Sequence, residues 1–164
     1  MRNISTFGAH IRLIASNTHP FGMNIDNFAD DIEPISIAPM NVKEAQMDLN
    51  GNPVSWAVAN LINVSISVIP GSNDDVRLGI LFNANRASGF RAPKRDDISI
   101  IITYPDHSTT ILSKGKITSG SPSTGAMSGG RMTSKTYGFA FADMTNVSVR
   151  AAAYSILGAT GLFG

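Results

Sequence analysis

Cysteine is absent from the 164-residue sequence, which excludes disulfide bridges, thiolate metal sites and cysteine nucleophiles. Charged residues are also scarce, at 15% of the chain against about a quarter in an average domain. The net charge of +1 gives no reason to expect binding to nucleic acid or to an acidic membrane. A chain with so little charge is expected to hide part of its surface in an assembly.

Long apolar runs are absent as well. No run approaches the roughly 18 residues of a membrane-spanning helix, and Met1–Ser5 lacks the apolar core of a signal peptide. We therefore expect a chain that is made in a cytoplasm and has no membrane binding of its own. The length predicts a single domain over residues 1–164.

Catalytic and metal-binding motifs are also missing. The three histidines, His10, His19 and His107, lie at predicted strand ends or turns, and neither a G-x-S-x-G motif nor a zinc-binding histidine pair is present. The acidic stretch 26–31 lacks the spacing of a calcium loop. We predict no catalytic residue, no metal site and no cofactor, and hence a protein that is not an enzyme.

The clearest structural signal lies in residues 61–86. Apolar and polar residues alternate strictly over 62–68, which predicts a half-buried strand. Pro70-Gly71 stops this strand, and Ser72 is a favourable N-cap for a helix that should run to about Asn85.

The predicted helix carries two apolar rows. The first row is Leu78, Leu81 and Phe82, and the second is Val76, Ile80 and Ala84. One row suffices to pack a helix on its own sheet. The second row indicates either a helix sunk deeply into one core or a helix that contacts another subunit, and the sequence leaves both open.

Most of the remaining chain is predicted to be β. Strands at 42–49 and 54–58 form a hairpin around Asn50-Gly51, Trp56 lies in a core-like strand, and the strand from Leu61 continues the meander. Further strands are predicted at 9–15, 33–38, 98–104, 109–113, 116–118 and 135–141. The fold class is therefore mainly β, an antiparallel β-barrel or sandwich with one flanking α-helix.

Two segments are expected to extend from this domain. Residues from about 20 to 32 are predicted to form an acidic loop that also contains apolar residues. Residues from about 147 to 164 are predicted to form an apolar tail. An apolar tail is costly to leave in water. We expect it to pack either on a neighbouring subunit or back along its own domain.

Five pieces of the sequence together resemble a known family. They are Phe21–Asp31, Leu49–Gly51, Val68–Asp75, Thr103–Asp106 and Ser134–Phe141. In this order they are similar to the tail tube (inner tube) proteins of contractile-tailed bacteriophages of the myovirus type. The resemblance spans residues 20 to 142.

The resemblance implies a structural virion protein. Six copies would form a ring whose inner strands join into one β-barrel, and stacked rings would form the conduit for genome ejection. The implied partners are further copies, the tail sheath protein, baseplate and tape-measure proteins, and double-stranded DNA in transit without sequence specificity. The implied location is the phage tail, assembled in the host cytoplasm. The alternative is an oligomeric β-sandwich that binds or decorates a virion.

A tube for DNA places a physical demand on its inner wall. Lys or Arg would hold phosphates, whereas carboxylates and small neutral polar groups let the duplex slide. The predicted polar strand faces have this composition, and we expect them to face either the lumen or ordinary solvent. These lumen candidates are Glu44, Gln46, Asp48, Asn63, Ser65 and Ser67.

The same resemblance suggests which residues join subunits or rings. Extended loops and termini bridge rings in the family, and the second helix row offers a further apolar contact. The contact candidates are Phe21, Met23, Phe28, Asn50, Gly51, Val76, Ile80, Leu162 and Phe163.

Overall fold

A computed structural model describes residues 8–30, 32–87, 89, 92–123, 130 and 132–147. Within this part the chain forms nine strands and one helix. They are β1 His10–Ala15, β2 His19–Ile25, β3 Ile35–Ile37, β4 Lys43–Met47, β5 Pro53–Ala57, β6 Ile62–Val68, α1 Asn73–Asn85, β7 Ile98–Thr103, β8 Thr109–Gly120 and β9 Lys135–Val147. The predicted fold class, mainly β and antiparallel with one helix, is confirmed.

Seven strands form one antiparallel sheet in the order β2-β1-β7-β8-β9-β6-β3. The chain crosses from one edge of this sheet to the other directly after β2. There Phe28 forms a bridge with Val68, and the Ala29 N–H donates to the Ser67 carbonyl at 3.0 Å. The two ends of the sheet are thereby tied together, so that the sheet curls around a single core.

The core lies on the inner face of this curled sheet. Alternate residues of β1, β6 and β7 are buried, as the period of a half-buried strand requires. The helix adds Leu78 and Leu81, which are fully buried in the same cluster. Its N-cap is the predicted Ser72, whose hydroxyl oxygen accepts from the Asp75 N–H at 3.2 Å.

The centre of the sheet differs from the predicted short strands. The predicted strands 109–113 and 116–118 are one strand, β8, which passes through a positive φ of 54° at Lys114. Next to it, Gly115 leaves room for the Phe141 ring, which would lie 2.2 Å from a Cβ at this position. The two predicted strands are therefore continuous, with an irregular backbone at Lys114 where a break between them was expected.

Three predictions in the first half of the chain are wrong. The predicted loop 20–32 begins as strand β2, which contains Pro20; β2 is an edge strand, where proline is tolerated. The predicted meander is absent, because β4 and β5 form a separate two-stranded sheet while β6 pairs with β9 and β3. Trp56 lies outside the core and is 43% exposed.

Candidate assembly surfaces

The hairpin of β4 and β5 projects from the domain, and we call residues 42–58 the arm. All ten of its strand residues are exposed on both faces. Its base is closed by a hydrogen bond from the Val58 N–H to the Val42 carbonyl at 3.1 Å. Within the described part of the chain, the two strands pair only with each other. The arm is therefore a ribbon with no covered face.

The register of the arm defines its two faces. Glu44 lies opposite Trp56 and Gln46 lies opposite Val54, so these four side chains share one face. Two of the proposed lumen residues therefore stand beside two large apolar side chains. This face is a mixed surface rather than the uniformly polar one that the sequence predicted.

The tip of the arm is held by Asp48. Its carboxylate accepts the backbone N–H groups of Asn52 and Asn50, each at 2.8 Å. The hydrogen bond from Asn52 is the largest contribution that holds the pKa of Asp48 below its ordinary value. Gly51 supplies a φ of 80° at the turn. Asn50 and Gly51, both contact candidates, are exposed at this tip.

The lumen candidates on β6 are divided by the structure. Asn63 is exposed and Ser65 is half-buried on the outer face of the sheet. Ser67 is only 2% exposed, and its hydroxyl lies 2.9 Å from the Thr136 hydroxyl. The prediction is wrong for Ser67, because its side chain is buried and contacts Thr136. The other polar face lies on β4, which does not neighbour β6.

The helix presents its second apolar row outward. Val76 and Ile80 are 56% and 52% exposed, while Leu78 and Leu81 are buried in the core. Of the two alternatives from the sequence, the structure of the single chain excludes a helix that is buried on all sides. An apolar strip remains available to another subunit.

The remaining contact candidates have different positions. Phe21, on the edge strand β2, is 91% exposed. Met23 is a core residue at 4% exposure, so its prediction as a contact is wrong. Phe28 is half-buried against the core. Leu162 and Phe163 lie outside the described residues.

Buried carboxylates at the helix N-terminus tie distant segments together. Asp74 accepts the backbone N–H groups of Asp26 and Asn27, each at 2.8 Å. Asp75 accepts from the Tyr137 hydroxyl at 2.9 Å and lies 3.3 Å from the Lys135 ammonium. The sequence indicated these carboxylates only as capping groups.

The buried Tyr137 hydroxyl donates a hydrogen bond to the carboxylate of Asp75. Burial, followed by the hydrogen bond to Asp75 and the charge of Asp75, raises the pKa of Tyr137 well above its ordinary value. The tyrosine therefore stays protonated and donates to the carboxylate.

Among the described residues, no three His, Asp or Glu side chains are grouped as a metal site, and no helix is long and apolar enough to cross a membrane.

The fold is similar to that of two chains from a contractile injection system. It is similar to a chain in the cryo-EM structure of the anti-feeding prophage baseplate (TM-score 0.55, covering 91% of this chain and 98% of that chain). It is also similar to a chain of the anti-feeding prophage cap, the tube-terminating cap (TM-score 0.51, covering 91% and 93%). Identity is 12% in both cases, so the likeness shows a shared fold.

The family model of tail fiber protein gp32 matches residues 2–145, and the chain belongs to this family. It is therefore a structural protein of the phage tail. No curated protein matches the chain. The resemblance noted in the sequence is confirmed at the level of the tail, whereas the inner tube stays a prediction.

Proposed function

We propose that this chain is a self-assembling subunit of the phage tail tube, in which hexameric rings stack into the conduit for genome ejection. The arm carries this proposal. An isolated two-stranded hairpin is marginally stable in water, and this one exposes Met47, Val54 and Trp56. A second copy that packs on the arm would cover these side chains.

The length of the arm suits a contact between rings. Five residues in each strand at about 3.3 Å per residue give a ribbon of about 17 Å before the turn at Asp48 is added. Such a ribbon reaches beyond the domain that carries it. We assign it to the contact between stacked rings, with Asn50 and Gly51 at its tip.

The edges of the large sheet support closure of a ring. In the described part of the chain, β2 and β3 each have one edge without a strand partner. Unpaired edges invite pairing with another chain unless they are protected. Pairing between copies would extend the curled sheet into a shared barrel, with Val76 and Ile80 buried in a lateral contact.

The inner wall of this barrel would carry Asn63 and Ser65. Both are small neutral polar residues on the outer face of the curled sheet. They offer no cation to the phosphates of passing DNA. In this proposal the chain is not an enzyme, and its partners are other copies, the sheath, baseplate and tape-measure proteins, and DNA in transit.

A second candidate is a component of a fiber or baseplate. The description of the family as tail fiber proteins favours it, and one of the similar structures is a baseplate. Such a component would form a finite complex instead of a tube of variable length. The surfaces described above would then contact different tail proteins.

The experiment combines electron microscopy with the fluorescence of Trp56, the only tryptophan of the chain and a residue of the arm. Concentrated protein, with and without a tail-initiating baseplate complex, is imaged by negative stain while emission is followed. We expect hollow tubes of variable length together with a blue shift, because assembly buries the half-exposed indole. Finite particles would support the second candidate, and a chain that stays monomeric even with the baseplate complex would refute the tube.

A further inference from the structure

The tip of the arm holds Asn50-Gly51, the one asparagine of the sequence that is followed by glycine. In such a pair the backbone nitrogen of the glycine can approach the side-chain carbonyl of the asparagine, because glycine has no Cβ in the way. Both residues are exposed, and a Cβ added to Gly51 would meet no atom within 4 Å. Solvent therefore has open access to this peptide bond.

The reaction open to this pair is deamidation of the Asn50 side chain. Hydroxide removes the proton from the Gly51 backbone nitrogen, which then forms a bond to Cγ of Asn50. The bond from Cγ to the side-chain nitrogen breaks, and that nitrogen takes a proton from water and leaves as ammonia. Water opens the resulting cyclic imide, which gives aspartate when the new bond breaks and isoaspartate when the main-chain bond breaks. The step needs only water and hydroxide.

The turn at the tip opposes this attack. The Gly51 N–H donates to the Asp48 carbonyl at 3.1 Å, so residues 48–51 form a β-turn with Asn50 as its third residue. Asn50 has a negative φ and Gly51 a φ of 80°, as in a type I turn followed by a left-handed residue. The third residue of a type I turn has a ψ of about 0°. At this ψ the Gly51 nitrogen points away from the Asn50 side chain, whereas ring closure needs it on the side of Cβ.

The Asp48 carboxylate holds this turn in place. Its Oδ1 accepts the backbone N–H groups of Asn50 and Asn52, each at 2.8 Å. The Asp48 N–H in turn donates to the Asn52 carbonyl at 2.9 Å. The backbone is thereby fixed on both sides of Gly51, so that rotation about ψ of Asn50 requires these hydrogen bonds to open.

We propose that Asn50 is a modification site of this chain and that Asp48 is the positioning residue that keeps its deamidation slow. The product carries either a second carboxylate two residues from Asp48 or, as isoaspartate, an additional main-chain atom. Either change alters the tip that we assign to the contact between rings, a consequence that rests on the proposed function. The modification itself depends only on the arm of a single chain.

Peptide mass spectrometry of the monomer measures the reaction. The protein is kept in mildly alkaline buffer, and the tip peptide is followed for conversion of the Asn50 amide to aspartate and isoaspartate. We expect the folded chain to react about tenfold more slowly than the same chain unfolded in guanidinium chloride, because misplaced reacting atoms lower a rate. Asn63 is exposed but is followed by Val64, and it should stay unconverted in the folded chain as an internal control. Equal rates at Asn50 in the folded and unfolded chains would overturn the proposal.

Two substitutions separate the hydrogen bonds of Asp48 from its charge. Asp48→Ala removes both and should accelerate deamidation of Asn50 about tenfold. The urea midpoint of the domain should not change, because the arm lies outside the core. Asp48→Asn keeps a side-chain oxygen that accepts the two N–H groups, so its rate should stay close to that of wild type. No acceleration in Asp48→Ala, or equal acceleration in both variants, would refute the positioning role of Asp48.

Discussion

Asp96 offers the sharpest test of the buried polar network, through the substitution Asp96→Ala. This side chain is fully buried between the turn after β1 and the end of the helix. Its carboxylate accepts the backbone N–H groups of Asn17 and Thr18 at 2.6 and 3.0 Å. It also accepts the Thr18 hydroxyl and the Asn85 amide. Alanine would remove all four hydrogen bonds at once.

The magnitude follows from the four hydrogen bonds to this carboxylate. A hydrogen bond to a charged group contributes about 1.5–3 kcal/mol, and water recovers part of the loss at Asn17, which is exposed, and Thr18, which is half-buried, so the four bonds together predict a loss of about 4 kcal/mol. That is a large fraction of the roughly 5–15 kcal/mol by which a domain is stable. The neighbouring carboxylate is a matched control, because Asp97 is 75% exposed in an ion pair with Lys116. Asp97→Ala should cost at most about 1 kcal/mol.

Urea unfolding of the monomer measures the difference. With a slope of about 2 kcal/mol per M, Asp96→Ala should lower the midpoint by about 2 M. Equal midpoints for Asp96→Ala and Asp97→Ala would refute the reasoning, since it rests on the burial of one carboxylate and the exposure of the other.

The same carboxylate predicts a dependence on pH. Burial raises the pKa of Asp96, but the hydrogen bonds from Thr18, Asn85 and Asn17 together outweigh burial and hold it below its ordinary value. A lowered folded-state pKa gives stability that is complete above the unfolded value of about 3.9 and is lost as the pH falls through the folded value. The stability difference between wild type and Asp96→Ala should therefore shrink in acid below about pH 4 and stay constant at neutral pH.

Three further variants, the last of them a double substitution, test packing, the tyrosine contact and assembly. Gly115→Ala should destabilise the monomer by about 1–3 kcal/mol through a clash, whereas Gly89→Ala, where a Cβ meets open space, should change the thermal midpoint little. Tyr137→Phe removes a hydrogen bond to a carboxylate and should cost about 1.5–3 kcal/mol in urea unfolding; no loss would mean that this bond contributes nothing net. Val76→Glu with Ile80→Glu should leave the monomer's unfolding unchanged yet prevent ring formation in negative stain, and normal rings would remove the helix from the proposed interface.

Local signals in the sequence were sufficient to predict the strand and the helix between residues 62 and 85. The alternation over 62–68 and the cap at Ser72 act through neighbouring residues, and the strand and the cap appear in the structure as predicted, except that Ser67 is buried. The two apolar rows of the helix were also visible, because residues three and four apart share a face. Which row is buried could not be predicted, because the core residues that cover Leu78 and Leu81 are distant in sequence.

Pairing between strands was decided by the tertiary structure. Strands β4, β5 and β6 follow each other closely, and the sequence therefore suggested one meander. Instead β6 pairs with β9, more than 60 residues away, and the hairpin is left as a separate arm. The alternation within a strand fixes which side chains share a face, but carries no information on which strand lies beside it.

The buried polar contacts were also beyond the sequence alone. Asp74, Asp75 and Asp96 occur in adjacent carboxylate pairs that suggest turns and caps. Their hydrogen-bond donors are 47–48 residues away for Asp74, 62 for Asp75 and 78–79 for the backbone donors to Asp96. The sequence by itself determined the β-rich composition, the helix and its cap, because these depend on short-range periodicity. Only the folded chain decided the exposed arm, the buried serine and the carboxylate network, because each depends on chain segments that meet after the sheet has curled.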